Sequence, residues 1–116
     1  MKIIIHKPLI AEVVAESIII HTGQDALDLM YNPAIEGAEK IILHKKNITP
    51  AFFDLSNGIA GDIVQKFVNY RVQLAIVGDF SDGSKSLQDF MRESNKGGHI
   101  YFVESVEKAV KLLQFN

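Results

Sequence analysis

The chain contains no cysteine. That excludes disulfides, thiolate catalysis and cysteine-ligated zinc, and it fits a reducing cytoplasm. An excess of either charge is also missing: 12 Lys and Arg stand against 14 Asp and Glu, a formal net charge of −2, with the two signs interspersed. There is accordingly no electrostatic case for nucleic acid or for an anionic membrane. No apolar run approaches the roughly 18 residues that a membrane span requires. The opening Met-Lys-Ile-Ile-Ile-His-Lys-Pro lacks the cleavage pattern of a secretory leader and reads as a strand, so a soluble, cytoplasmic protein is expected. Internal repeats and low-complexity segments are absent too.

What the chain does have is a well-patterned middle. From Thr49 to Phe80 it reads as a helix entry, a long amphipathic helix, a turn and a buried strand. Ile59, Ile63, Phe67 and Tyr70 recur at helical spacing, with Asp62, Gln65, Lys66 and Asn69 on the opposite side. Thr49-Pro50 is a start signal, since the hydroxyl can accept an orphan amide bond and Pro at the first helical position has no amide to leave unpaired. The first turn, with Phe52 and Phe53, is expected to break near Ser56-Asn57-Gly58. Gly58 and Gly61, three apart, would admit close approach of a neighbouring strand. Val72 to Val77 is a short apolar run ended by Gly78-Asp79, which predicts an interior strand of a sheet covered on both faces.

At 116 residues, a single domain spanning 1–116 can bury roughly two thirds of its unfolded surface and fold without staples. Lys2 to His6 is a strand, followed by a turn at Lys7-Pro8. Leu9 to Val14 and Ser17 to Ile20 read as extended. Thr22-Gly-Gln-Asp25 resembles a capping box opening a helix with Ala26, Leu27, Met30 and Tyr31 inward. Ala38 to Leu43 is a strand, Ser84 to Asn95 a helix stopped by Gly97-Gly98, His99 to Val103 a strand, and Ser105 caps a last helix. The order β, β, α, β, α, β, α, β, α predicts an α/β fold: a mixed, mostly parallel sheet of about five strands with about four helices and an antiparallel strand at its N-terminal edge.

Three candidate sites emerge. Gly78-Asp-Phe-Ser-Asp-Gly-Ser-Lys-Ser86 nearly spells a phosphate-binding loop, but Ser84 separates the second glycine from the lysine, and Asp79 and Asp82 place negative charge where phosphate would lie. It reads as a strand-to-helix turn. Among His6, His21, His44 and His99, a parallel sheet would put His21 and His44 at carboxyl ends of strands, with Asp79 ending a third. These form a candidate ligand edge, although no two histidines have the spacing of a metal pair. At the entrance to the central helix, Asp54-Leu-Ser56-Asn57-Gly58 could present a phosphorylatable hydroxyl in the positive field of the helix end, or Ser56 could simply cap it. No catalytic constellation, metal site or cofactor motif is complete.

The run FFDLSNGIAGDIVQKFVNYRVQLAIVGDF, with QDALDLMY before it and ESNKGGHIYFV after it, resembles a bacterial family described as a domain of unknown function, DUF4180, over nearly the whole chain. The element order also resembles the STAS domain, the sulfate-transporter and anti-sigma-factor-antagonist fold, whose members act mostly by binding partners. In the antagonists an Asp-Ser-Ser-Gly motif at the start of a helix presents the phosphorylated serine. Asp54 and Gly58 match its ends only with one residue inserted, and Asn57, not serine, precedes the glycine. The resemblance implies a STAS-like, non-enzymatic regulatory or interaction module. It would bind a protein partner, or itself as a homodimer, through Asp54, Ser56, Asn57, Gly58, Gly61 and Asp62 together with Asp79 and Ser81. Self-association would follow if Phe80, Tyr101 or Phe115 contributes to an exposed apolar patch. The other reading is a small-ligand- or metal-binding protein or enzyme using His21, His44 and Asp79.

Overall fold

A computed structural model describes residues 1–7, 9–35 and 37–114. Five strands form one sheet in the order β1 (Lys2–Lys7), β2 (Ile10–Val14), β3 (Lys40–His44), β4 (Gln73–Val77) and β5 (Ile100–Val103). β1 pairs antiparallel with β2, shifting register between Ile5 and Lys7, and every later pair is parallel. The run expected to be an interior strand is β4, which lies between β3 and β5. Each neighbouring parallel pair is joined by a helix: α1 (Gly23–Met30), α2 (Ile59–Asn69) and α3 (Lys85–Gly97). Successive right-handed crossovers between adjacent strands must place their helices on one side of the sheet. Accordingly Ala26 and Leu29 of α1, Ile63 and Phe67 of α2, and Leu87 and Met91 of α3 share one core with Ala11, Ile41, Leu74 and Phe102. α4 (Val106–Gln114) follows β5 and covers the other side, where Ala109 and Leu113 pack on Ile10, Ile42, Ala75 and Tyr101.

The ends of the helices follow their capping chemistry. Thr22 accepts from the Asp25 amide at 3.3 Å, and the Asp25 carboxylate accepts from the His21 amide at 2.8 Å, a capping box that reaches one residue further back than the usual pattern. Ser84 accepts from the Leu87 amide at 3.1 Å, and Gly98, with φ +82°, closes α3 in the left-handed conformation. Between β3 and α2 the chain makes three short 3-10 turns, at Lys45–Asn47, Pro50–Phe53 and Leu55–Asn57, before Gly58 turns left-handed at φ +76°. The interruption expected near Ser56-Asn57-Gly58 is therefore present.

Several expectations are corrected. Ser17 to Ile20 is not a strand: apart from a single bridge from Ile20 to Ile48 it is irregular, because both edges of β2 are already taken by β1 and β3. Tyr31 and Tyr70 do not face the core. They are 68% and 48% exposed, and their hydroxyls meet at 2.9 Å on the surface with the rings edge to face at 5.8 Å. Among the described residues, neither Gly58 nor Gly61 has a neighbour where a Cβ would stand; close approach occurs instead at Gly23, Gly78 and Gly83. Tyr101 is buried at 4% and Phe80 packs edge-on against Phe102, so neither forms an exposed apolar patch, while Phe115 lies outside the described residues, as does Pro8 of the expected Lys7-Pro8 turn. No helix among the described residues is long and apolar enough to cross a membrane.

Candidate functional site

The carboxyl ends of β3 and β4 open into a cleft of about 870 Å³. Its walls come from four pieces of chain: Ile18 after β2; His44 to Lys46, Ile48, Pro50 and Phe53 after β3; Val77 to Phe80 after β4; and Gly83, Ser84 and Leu87 at the entry to α3. Open α/β sheets place ligands at this edge. All three crossovers run the same way here, so the hollow is not a gap between diverging helices. It lies between the chain from His44 to Phe53, turned by its 3-10 helices, and the loop that leads from Val77 to the start of α3.

The walls are mainly apolar and the polar groups sit around them in distinct states. Lys45 is tied down: its ammonium donates to the Asp79 carbonyl at 2.6 Å, lies 3.7 Å from the Asp82 carboxylate, and sits over the rings of Phe53 and Phe80 at 5.7 and 5.2 Å. Its stem crosses Gly78, where a Cβ would stand 2.6 Å from that of Lys45. Asp79 is turned inward on its own loop, one oxygen accepting from the Ser81 amide at 2.9 Å and hydroxyl at 2.7 Å. Those bonds, the hydroxyl's first, hold the Asp79 carboxyl below its ordinary range, with the nearby Lys45 adding to the effect. Lys46 is exposed on the rim and has no hydrogen-bond or ion-pair partner among the described residues.

His44 leads away from the cleft into the sheet. Its Nε2 lies 2.6 Å from one oxygen of Glu12 on β2, and Nε2 of His6 on β1 lies 2.7 Å from the other. Glu12 is only 6% exposed. Burial pushes its carboxyl up, but the bonds and charge of His44 and His6 together outweigh that and leave it below the ordinary carboxylate value. A carboxylate with both oxygens engaged by imidazoles from the strands on either side is thus built into the sheet one step behind the cleft.

The remaining expected residues lie elsewhere. His21 is exposed, its ring 3.3 Å from Asp25, and is not part of the cleft wall. His99 is exposed at the start of β5. Asp54 repeats the Asp79 arrangement, accepting from the Ser56 hydroxyl at 2.7 Å and amide at 3.2 Å, which lowers its carboxyl in the same way. Ser56 therefore does not cap α2; Asn57 accepts from the Ile59 amide at 2.9 Å instead. Gly58 and Gly61 are exposed, and Asp62 accepts from the Gly23 amide at 3.1 Å while pairing with Lys66 at 3.2 Å. The stretch before α2 and the loop after β4 meet through Phe53 and Phe80, whose rings are 5.9 Å apart. Among the described residues, no group of three His, Cys, Asp or Glu is placed to hold a metal ion.

A model of the family described as a domain of unknown function, DUF4180, matches residues 6–113. The chain belongs to that family. No curated protein and no solved structure matches it. The matched span of this DUF4180 chain takes in the whole cleft and all three members of the His6–Glu12–His44 set. Sequence reasoning counted the histidines but missed Glu12. The signal was present: one charged residue inside the otherwise apolar strand Ile-Ala-Glu-Val-Val.

Proposed function

We propose that this DUF4180 chain is a binding protein that takes a small, largely apolar ligand into the cleft at the carboxyl edge of its sheet, with His44 and Lys46 as polar contacts. The observation that supports it is the cleft itself: about 870 Å³, within the range of small-molecule sites, walled by side chains such as Phe53, Phe80 and Leu87. Asp79 lines the same cleft, its carbonyl accepting from Lys45 and its carboxylate holding the turn at Ser81. A thermal-shift screen of small acids, nucleotides and metals tests the reading. A ligand present at 100 times its dissociation constant stabilises by about 2.7 kcal/mol, and the gain should shrink in Phe53→Ala and Lys46→Ala. A flat screen removes it.

A second reading, a STAS-like regulatory or protein-interaction module, rests on the element order and on the exposed run of Ser56, Asn57, Gly58, Gly61 and Asp62 at the head of α2. Ser56 is accessible, but its hydroxyl donates to Asp54, so a phosphate there would face a carboxylate. Folded Ser56→Asp and Gly61→Arg variants that capture a partner, or a second copy of the chain, as well as wild type does would clear this surface of a role. A bacterial source and a cytoplasmic location belong to the same reading.

A further inference from the structure

Glu12 is the feature that the cleft alone leaves unexplained. Even where the imidazoles outweigh the desolvation of the carboxylate, apolar side chains of similar volume often fill such a place with equal or greater stability. Its neighbours on that side of the sheet are otherwise those of a plain core: Ile10 and Ile42 beside it, Ala75 and Val77 on β4, and Ala109 and Leu113 of α4. The arrangement does fix chemistry. An ionised carboxylate only accepts hydrogen bonds, so His6 and His44 must both present Nε2–H to it, and the nitrogen that gains or loses a proton on each ring is Nδ1. His44 is also part of the cleft wall, next to Lys46, which has no partner among the described residues. The acidic groups of the cleft are already engaged, Asp79 with Ser81 and Asp82 facing Lys45.

We infer that His6, Glu12 and His44 are the proton-binding centre of the cleft: an apolar ligand bearing a carboxylate enters as the anion, and His44 takes one proton from solvent at Nδ1 as it binds. The inference rests on the cleft being a ligand site. Glu12 and His6 are positioning residues; His44 is the group that meets the ligand. An anion beside an imidazole favours the imidazolium, and by reciprocity the proton favours the anion. Among the described residues, the other titratable groups on this side are Lys2 and Lys7 on β1, Lys7 next to His6 and paired opposite Ile10, Lys40 at the far end of β3 with its ammonium on the Leu113 carbonyl, Lys45 and Lys46 beyond β3, and the buried Tyr101 on β5. Among the described residues, α4 turns no charged side chain inward; Glu107, Lys108 and Lys111 are exposed.

The experiment is calorimetric titration of the full chain with hexanoate and benzoate, and with their neutral counterparts hexanamide and benzamide, across about pH 5 to 8 in buffers of different ionisation enthalpy. Carboxylate affinity should rise by up to about tenfold per unit fall in pH, with proton uptake approaching one, while amide affinity stays level. His44→Gln should abolish the slope. Glu12→Gln should weaken it while keeping the fold, since a carboxamide can accept from one imidazole and donate to the other; equal circular dichroism checks this. Carboxylate binding with no pH dependence in wild type, or with the same slope in His44→Gln, overturns the inference and leaves the cleft reading standing. A slope unchanged in Glu12→Gln removes the buried carboxylate from it. Failure of all four probes to bind overturns the cleft reading and the inference with it.

Discussion

At Gly78 the missing side chain lets the Lys45 stem lie across the end of β4, and what a Cβ would meet is the first carbon of that stem, not its mobile tip. Gly78→Ala should therefore cost about 1–3 kcal/mol of stability, as forced overpacking does. Gly61 is the contrast: it lies in α2 with open space where a Cβ would go, so Gly61→Ala should stabilise by about 0.5–1 kcal/mol. Urea unfolding of the two variants checks both signs. The pair shows what a single sequence withholds. Gly58 and Gly61 stood out because they are close in the chain, yet a glycine is demanded only where another segment passes, and that segment is 33 positions away for Gly78. Tyr31 and Tyr70 were misplaced for a related reason. Helical spacing assigns them to the inner face, but each is the residue that closes its helix, where the chain is leaving the core and the phenols can reach each other and water.

At the scale of elements, Asn47 holds together the stretch that failed to become a strand. It is fully buried, its amide donates to the carbonyls of Ala15 and Ser17 at 2.8 Å each, and its own backbone carbonyl accepts from the amides of Ile19 and Ile20. The β-branched run before His21 has strand propensity and no free sheet edge to join, so its backbone amides at Ile19 and Ile20 are satisfied by this residue and the Ile20 carbonyl by the Thr49 amide. Asn47→Ala leaves the buried Ala15 carbonyl and the part-buried Ser17 carbonyl without their partner and should cost about 1–3 kcal/mol, with faster amide exchange at Ile19 and Ile20. An unchanged exchange rate at those two amides would show that the bridge from Ile20 to Ile48 suffices without the side chain. Strands and helices with their own periodicity were legible to within a few residues. The Ala15–Ile20 segment was not, because its conformation is set by a partner 30 residues downstream.

On the scale of the whole molecule, the sheet's two sides are unequal: among the described residues three helices cover one and α4 alone covers the other, leaving His6 and His44 partly open on β1 and at the end of β3. That the α/β order was readable while the Glu12 centre was not follows from this geometry, since the centre exists only once three strands are side by side. The same geometry makes acid stability a direct test. The folded Glu12 carboxyl lies below its ordinary value of 4.5, so the charged form contributes stability that is fully present above about pH 4.5 and is lost as pH falls through the lower, folded value. Glu12→Gln has no such group. It should be less stable than wild type at neutral pH, with the gap closing as the pH drops below 4.5 and wild type alone loses the contribution. Urea midpoints of both proteins from about pH 7 to about pH 3 measure it. Parallel curves would mean that the two imidazoles contribute no net stabilisation to the buried charge in the folded state.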